Sequence, residues 1–460
     1  MKRFITYFLL SVVMVLASCS DNDSFSTNRN NLLTFSVDTV KMDTVFANTG
    51  SSTYSFWVFN QSGDGIRLNS VRLRNGNQTG FRVNVDGSYL DNKIGSVVND
   101  LEVRKGDSIR VFVELTAAAT QQLEPQQIAE DLVFQLESGV EQRVRLESWV
   151  WDADKITNLT VSADTLIESA KPLVFFGTGI TVDSGAVLTL RNTTLFFHDR
   201  AGIDVNGSLI TKNVVMRGDR LDHMFDYLPY DRVSGQWRGI VFGVSSTENA
   251  MFDTEVRNAE RAVVLTDSAV MDSTVQRLTM VRCVVHNSKG YGVISYNSYI
   301  GLYYCLLANT MGDCLALYGG ICEMEHCTLA QFYPFTANRG AALRFSNKGE
   351  KTPYPLLMLF CTNSIVTGYD KDVVFAEYSE PDSITAGQDS LLFCYQFENC
   401  LLRTPAVEDD TVSFHNIIWE TPDDSIQGKK HFKVFDEENL YYDFHLDSLS
   451  TAHGLGCYEE

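Results

Sequence analysis

Alternation of apolar and polar residues with a period of two marks the chain between residues 31 and 152 and predicts β-strands there. Residues 54–59 and 108–113 are two of the alternating runs, and turn dipeptides such as Asp86-Gly87 separate them. About seven short strands in a segment of this length are typical of an immunoglobulin-like β-sandwich. The segment has no cysteine, so a disulfide between its sheets is not expected. We interpret it as a spacer or docking module.

A second pattern, a repeat of about 22 residues, runs from residue 160 to residue 400 and predicts a solenoid. Gly179 and Gly202 head similar runs, Cys283, Cys305 and Cys327 stand at intervals of 22, and Cys361 is taken as the next copy. A second series, out of phase with the first, begins at Gly239, Ala262, Gly292, Cys314 and Gly340. Two strand families with one period and no helical periodicity between them predict an all-β, right-handed parallel β-helix. We place it at residues 160–460, with a C-terminal capping segment.

The regular cysteines are predicted to form one column, because equivalent positions on neighbouring coils of a β-helix lie ~4.8 Å apart. We interpret Cys283, Cys305 and Cys327 as small apolar core residues. Disulfides within the column are the alternative, since this spacing lies in the range that a disulfide accepts. No Cys-x-x-Cys pair occurs, so the cysteines do not predict a metal site.

The segment 217–237, which we call the insertion, breaks the repeat and is the best candidate for a functional site. It contains four aspartates, three arginines, one histidine and four aromatic residues, and long charged loops on a rigid scaffold often carry function. The candidate catalytic residues are Asp222, His223, Asp226 and Asp231. The candidate binding residues are Asp219, Arg220, Tyr227, Tyr230, Arg232 and Trp237. His198, just upstream, is expected on the same face.

Three kinds of chemistry fit the composition of the insertion. Aromatic rings and polar groups could bind a sugar, paired aspartates could hold Ca²⁺, or two carboxyl groups could act as acid and base on a glycosidic bond. The simpler alternative is a network of Asp–Arg ion pairs that packs the insertion against the helix, and we favour it. We therefore predict no cofactor, with Ca²⁺ as the one candidate ion.

The net charge of the chain limits the kinds of molecule that it can bind. The chain has 58 acidic and 37 basic residues, a formal charge of −21. Phosphate backbones repel a protein this acidic, so we expect no nucleic-acid partner. Hydrophobic residues make up 44% of the chain and charged residues 21%, a balance typical of a core-forming protein and not of a disordered one.

The first 30 residues carry a pattern typical of export. Two basic residues precede an apolar run too short to span a bilayer, and the run ends in Leu-Ala-Ser-Cys at Cys19. This ending resembles a bacterial lipobox, whose cysteine is diacylated and becomes the new N-terminus. We predict a signal peptide over residues 1–18 and a lipidated tether over residues 19–30. The expected location is the outer membrane, on its periplasmic or cell-surface side, and two aspartates at 21 and 23 resemble a surface-export signal of Bacteroidota lipoproteins.

The order of these features is similar to a Bacteroidota family of lipoproteins described as right-handed parallel β-helix repeat proteins. The resemblance rests on five stretches of sequence: Phe-Phe-His-Asp-Arg-Ala-Gly at 196–202, Arg-Gly-Asp-Arg-Leu-Asp at 217–222, Gly-Gln-Trp-Arg-Gly-Ile at 235–240, Asp-Phe-His-Leu at 443–446, and His-Gly-Leu-Gly-Cys-Tyr-Glu at 453–459. In the last stretch, Cys457 stands where a small residue is usual. It covers nearly the whole chain and implies a sandwich followed by a β-helix. The family carries no established activity, so the resemblance implies none.

Two classes of function fit these observations. The first is a noncatalytic envelope lipoprotein that is held by its lipid anchor and contacts glycan, or another envelope protein, through the β-helix. The alternative is a polysaccharide lyase or glycoside hydrolase that uses the insertion, which rests on fold analogy alone. Because the acidic residues are concentrated in one insertion and do not recur on adjacent coils, we favour the noncatalytic function.

Overall fold

The computed structural model describes residues 24–90, 93, 95–267, 271–348, 354–379, 392–407, 409–421 and 427–458. The predicted signal peptide and the lipidation site at Cys19 lie outside these residues. The chain divides into two compact units, Met1–Asp152 and Ala153–Glu460. The sandwich prediction of 31–152 falls within the first unit. The first strand of the second unit begins at Asp154, ahead of the predicted start at residue 160.

The first unit is an immunoglobulin-like β-sandwich. Its described strands are β1 (Leu33–Phe35), β2 (Thr39–Lys41), β3 (Val45–Phe46), β4 (Tyr54–Asn60), β5 (Ile66–Leu73), β6 (Phe81–Val85), β7 (Ser88–Tyr89), β8 (Val97–Val103), β9 (Ser108–Leu115), β10 (Gln126–Leu136) and β11 (Glu141–Trp151). One sheet has the order β1-β4-β9-β6-β7 and the other β2-β11-β10-β5-β8, with β3 also paired to β11. Strands as short as β3 and β7 leave too few residues for a period of two, which is why the sequence predicted about seven strands.

The alternation of residues in β4 shows how the pattern builds this core. Phe56 and Val58 are buried between the sheets, whereas Trp57 between them is exposed. Burying a large apolar side chain contributes roughly 1.5–3 kcal/mol, so the register of each long strand is determined by its apolar face.

The second unit is a parallel β-helix. Its described strands before the insertion are β12 (Asp154–Val161), β13 (Thr165–Glu168), β14 (Leu173–Val182), β15 (Val187–Phe197), β16 (Gly202–Val205) and β17 (Ser208–Gly218). The insertion itself holds a two-stranded hairpin, β18 (His223–Phe225) and β19 (Leu228–Pro229), and a short 3-10 helix, Tyr230–Arg232. The strands that follow are β20 (Ile240–Phe242), β21 (Asn249–Arg257), β22 (Val263–Leu265), β23 (Leu278–Val281), β24 (Val284–His286), β25 (Val293–Tyr296), β26 (Tyr299–Tyr303), β27 (Leu306–Ala308), β28 (Leu315–Tyr318), β29 (Gly320–Glu325), β30 (Thr328–Gln331), β31 (Leu343–Ser346), β32 (Leu356–Thr362), β33 (Ile365–Gly368), β34 (Val374–Glu377), β35 (Phe393–Glu398), β36 (Leu401–Leu402), β37 (Phe414–His415) and β38 (Ile418–Trp419).

In the described part of the chain, 25 of these strands form one continuous parallel sheet with three ladders. Ladder A is β12-β14-β16-β20-β22-β25-β28-β31-β34, ladder B is β13-β15-β17-β21-β23-β26-β29-β32-β35-β37, and ladder C is β12-β14-β15-β17-β21-β24-β27-β30-β33-β36-β38. The long strands bend at a corner and therefore serve two ladders. Apolar side chains point inward from every ladder and form one continuous core.

The pairing register confirms most of the predicted repeat. Gly179 pairs with Gly202, and Val284 pairs with Leu306, which pairs with Thr328. The predicted cysteine column at 283, 305 and 327 follows directly from these pairs, since each cysteine precedes one of the paired residues.

Two copies of the repeat were assigned to the wrong position. Thr328 pairs with Ile365, so the cysteine column continues at Ser364 and not at Cys361, which pairs with Met324 in ladder B. In ladder A, Leu315 pairs with Leu343, which moves the predicted copy at Gly340 by two residues. Both copies follow long connections, and small apolar residues on either side of the true register allow the sequence to be aligned out of phase.

The cysteine column lies in the core of the β-helix. The thiols of Cys283, Cys305 and Cys327 donate to the carbonyl oxygens of Met251, Met280 and Leu302, one coil earlier, at 3.3, 3.4 and 3.4 Å. All nine cysteines among the described residues are free thiols, and eight of them are buried. The column is therefore part of the apolar packing of one corner.

The C-terminal segment folds back along the side of the β-helix. It forms a short 3-10 helix, Gly428–His431, and an antiparallel hairpin, β39 (Phe432–Asp436) and β40 (Tyr441–Leu446). Apolar residues of the hairpin and tail pack on outward-facing residues of ladder C, such as Leu306 and Ile365. The sequence predicted a cap for the end of the solenoid, whereas this hairpin covers a lateral face.

Candidate functional site

The insertion is anchored at its C-terminal end by Trp237. The Trp237 ring is 1% exposed and stacks on Phe197 with 4.4 Å between ring centroids. Its indole N–H donates to the carbonyl oxygen of Arg257 at 2.8 Å. Trp237 was predicted as a binding residue, but its burial in the core removes it from contact with any ligand.

Arginines neutralise two of the predicted catalytic aspartates. Asp231 Oδ1 lies 2.7 Å from Arg217 Nη1 and 3.3 Å from Arg257 Nη2. Arg220 forms a two-pronged pair with Asp222, at 2.7 and 2.5 Å. Burial, reinforced by the charge of Arg257, lowers the pKa of Arg217 to about 10 although Asp231 acts in the opposite direction. We call these five residues the Asp–Arg network.

The other charged candidates of the insertion occupy different settings. Asp219 accepts a hydrogen bond from His198 Nδ1 at 2.7 Å, which places His198 on the expected face. Asp226 is exposed and forms no ion pair within the described residues. His223 is exposed, on the first strand of the β18–β19 hairpin.

The tip of that hairpin carries exposed aromatic rings. Phe225 and Tyr227 are 54% and 73% exposed and stack on each other with 5.6 Å between centroids. Tyr230 lies at the base of the hairpin, where the Arg220 guanidinium covers its ring at 3.9 Å. Of the aromatic candidates in the insertion, Tyr227 is therefore open to solvent and Tyr230 is covered.

A groove of about 470 Å³ lies between ladder C and the C-terminal hairpin, and we call it the Arg232 groove. Arg232, at the end of the short 3-10 helix of the insertion, lines one part of it. Its other lining residues include Glu255 and His286 of ladder C, Asn287 beside them, and Tyr441, Asp443 and His445 of the hairpin.

The carboxylates of the groove are ionised and already bonded. Glu255 Oε1 lies 3.0 Å from His286 Nε2 and 3.1 Å from Arg257 Nη1. Burial by itself raises the pKa of Glu255, but the His286 hydrogen bond and the nearby positive charges outweigh it and lower the pKa to about 2. Asp443 contacts His445 Nδ1 at 2.5 Å, and this bond likewise outweighs burial and lowers the Asp443 pKa.

The resolved pKa shifts of the carboxyl groups bear on acid–base catalysis. A glycosidase needs one carboxyl group that stays protonated near neutral pH, which requires a raised pKa. Every carboxyl group with a resolved shift in the described part of the chain has a lowered pKa. Over the same residues, no cluster of His, Cys, Asp and Glu is arranged to hold a metal ion, and the aspartates considered for Ca²⁺ include two that are bonded to arginine.

Most of the residues that line the groove were not predicted from the sequence. Glu255, His286 and Asp443 lie on three separate strands, and only the stacking of coils and the returning hairpin bring them together. One feature of the sequence could have indicated the groove. Outward positions of ladder C that are apolar in later coils, such as Leu306, are polar at Glu255 and His286.

Comparisons with known proteins give no family. No protein-family model matches the chain, and no curated protein does. Among solved structures, a GH87 α-1,3-glucanase catalytic domain in complex with tetrasaccharides shares 9% identity over 82% of this chain and 91% of its own, with a TM-score of 0.27. The catalytic unit of a GH87 α-1,3-glucanase from Streptomyces thermodiastaticus shares 11% over 80% and 89%, with a TM-score of 0.21.

A protein of unknown function from Porphyromonas gingivalis W83 shares 12% identity, with a TM-score of 0.19. The match covers 29% of this chain and 50% of that protein, so it spans only half of that protein's length. The large parallel sheet defines the β-helix class by itself, and these distant likenesses add no function. No helix within the described residues is long and apolar enough to cross a membrane.

Proposed function

We propose that this protein is a noncatalytic glycan-binding protein of the cell envelope and that the Arg232 groove is its binding site. The observation that carries the proposal is the groove itself, in which hydrogen-bonding side chains and aromatic rings line one concave surface while the carboxylates are ionised and paired. A sugar is recognised by rings that cover its apolar faces and by polar groups that bond its hydroxyls.

The groove supplies both kinds of contact. Tyr441 is 54% exposed at its rim, and His445 stacks on Tyr458 with 4.0 Å between ring centroids. Because His445 and Tyr458 are stacked on each other, these two rings lose little side-chain freedom on binding. The exposed pair Phe225–Tyr227 offers a second aromatic surface on the insertion for a longer chain.

The alternative, a lyase or hydrolase that uses Asp222, His223, Asp226 and Asp231, has weaker support. Asp222 and Asp231 are each held in an ion pair with an arginine, so their carboxylate oxygens are already engaged.

The proposed test uses the mature chain and a panel of neutral and uronic polysaccharides, with and without Ca²⁺. We expect retardation in affinity electrophoresis, no new reducing or unsaturated ends, and about tenfold weaker binding for Tyr441→Ala. Tyr89→Ala, which changes a tyrosine of the sandwich with 48% exposure, is the matched control. New chain ends that disappear in Asp231→Asn would establish the enzymatic alternative.

We also propose that the chain is anchored in the outer membrane through lipid on Cys19. The support is the lipobox-like sequence that ends at this residue, and several acyl chains on one residue are sufficient for stable anchoring. In a Bacteroidota host, we expect the wild-type chain in the membrane fraction and Cys19→Ala in the soluble fraction. Protease treatment of intact cells then separates the cell surface from the periplasmic side. Equal membrane association of the variant would contradict the anchor.

A further inference from the structure

We infer that the Arg232 groove recognises the carboxylate of an acidic glycan, with Arg232 as the residue that binds it. This inference rests on the proposed glycan-binding function and names its ligand class. It follows from three observations: the unpaired state of Arg232, the surplus of unused donors in the groove, and the rigid support beneath Arg232.

Arg232 is unusual among the charged residues of this region. Glu255 is bonded to His286 and Arg257, and Asp443 is bonded to His445. Arg232 lines the same groove and forms no ion pair or side-chain hydrogen bond within the described residues. A guanidinium presents five N–H donors in a planar fork that matches a carboxylate.

Its neighbours in the groove add donors. Asn287 is buried, and its side-chain amide forms no hydrogen bond within the described part of the chain, which is also true of the Tyr441 hydroxyl at the rim. Because the carboxylates of the groove are already engaged, the unused capacity is mainly that of donors. A ligand rich in acceptors therefore complements the groove, and a carboxylate is such a group.

Tyr442, on the hairpin wall, shows that the positive charge of Arg232 reaches across the groove. Burial raises the pKa of Tyr442 to about 12, while the charge of Arg232 acts in the opposite direction. Arg232 and Tyr442 line the same groove, so a sugar bound there can contact both the insertion and the hairpin.

The Asp–Arg network gives Arg232 its rigid support. The neighbouring Asp231 is fixed by Arg217 and Arg257, and its carbonyl oxygen accepts from Asn258 Nδ2 at 2.8 Å. The backbone N–H of Tyr230 donates to the carbonyl oxygen of Asp222 at 2.9 Å. The network thus fixes the backbone that carries Arg232, so binding does not have to order this segment.

The net charge of −21 does not oppose this ligand strongly. At physiological ionic strength the Debye length is about 8 Å, so exposed acidic residues farther away are largely screened. Contacts made inside the groove are screened much less, and they determine which ligand is bound.

The test is isothermal titration of the mature chain with short oligosaccharides of galacturonate, mannuronate and glucuronate, each beside its carboxyl methyl ester. We expect at least one acid to bind, its ester to bind about tenfold more weakly, and Arg232→Gln to lose about tenfold in affinity for the acid. Arg191→Gln changes an exposed arginine of β15 and should bind like wild type. Unchanged thermal unfolding of Arg232→Gln shows that the variant is folded.

The two proposals can fail separately. If neutral oligosaccharides or the esters bind as well as the acids, or if Arg232→Gln binds the acid normally, the inference is overturned and glycan binding stands. If no member of the neutral and uronic panel binds, both proposals are overturned.

Discussion

At the scale of single residues, the charged side chains of the insertion are mostly structural. Asp222 and Asp231 pair with arginines that also hold backbone carbonyl oxygens, as Arg217 does with Gly218 and Arg220. Removing one partner of such a partly buried pair leaves an uncompensated charge, so these pairs hold the insertion in one conformation. These aspartates therefore stabilise the fold of the insertion, and they fix the backbone beside Arg232.

Replacing Asp231 tests this role. Asp231→Asn leaves Arg217 and Arg257 without their carboxylate, so we expect a loss of about 2 kcal/mol in the free energy of unfolding, measured with urea. Asp226→Asn, in the same insertion but exposed, should remain within about 0.5 kcal/mol of wild type. Equal effects of the two substitutions would show that the pairing contributes nothing.

Glu255 makes the stability of the β-helix depend on pH. Its pKa is about 2 in the folded chain against an ordinary value of 4.5, so its contribution is complete above pH 4.5 and is lost as the pH falls toward 2. At about 1.4 kcal/mol per pKa unit, the loss is on the order of 3 kcal/mol. Thermal unfolding between pH 6 and pH 2 should show a smaller decline for Glu255→Gln than for wild type. Parallel declines would contradict the assignment.

At the scale of elements, the corner between ladders B and C repeats one unusual backbone conformation. Nine successive coils place there a residue with positive φ, mostly Asn: Asn192, Asn213, Asp253, Arg282, Tyr304, His326, Asn363, Asn399 and Asn416. Their side chains also contact each other, since Asn399 Nδ2 donates to Asn363 Oδ1 at 2.6 Å and Asn416 Nδ2 donates to Asn399 Oδ1 at 2.9 Å. Asn tolerates the left-handed region better than most residues, so the column suits a tight corner.

Two substitutions separate the contributions at this corner. Asn399→Ala removes both side-chain hydrogen bonds. It also leaves alanine, which has no polar side chain to favour this conformation, at a φ of 54°. We expect the free energy of unfolding to fall by about 2 kcal/mol. Asn399→Gly relieves the backbone strain and should recover part of that loss in denaturant unfolding. If Ala and Gly are equally destabilising, the backbone conformation has no energetic role.

At the scale of the whole molecule, the length of the chain reflects two kinds of core. The sandwich has a closed core between two sheets, whereas the β-helix extends its core with each added coil and so exceeds the usual size of one domain. The surplus of acidic residues is compatible with this architecture because most charged side chains point outward.

Each unit should fold without the other, because each has its own apolar core. We expect fragments 24–152 and 153–460 to unfold cooperatively in calorimetry, at temperatures that match the transitions of the full chain. A fragment that stays unfolded would show that its core is incomplete without the other unit.

Local periodicity explains how much of this could be predicted. A period of two in residues 54–59 follows from alternate burial in a single strand, and the 22-residue spacing of Cys283 and Cys305 follows from one turn of the coil. Both are visible along the chain. Cys361 was assigned to the wrong ladder because the spacing between coils is longer there, and similarity alone does not determine where the next strand resumes.

The sequence by itself determined the fold class and the segment that interrupts the repeat, since these depend on neighbours within about 22 residues. The tertiary structure alone decided the groove and the state of its charges. Arg232, Glu255, His286 and His445 are far apart along the chain, and the pKa of Glu255 depends on which cations the folded coils place beside it. The strength of an electrostatic contact depends on distance and burial in space, and neither can be read from the order of residues.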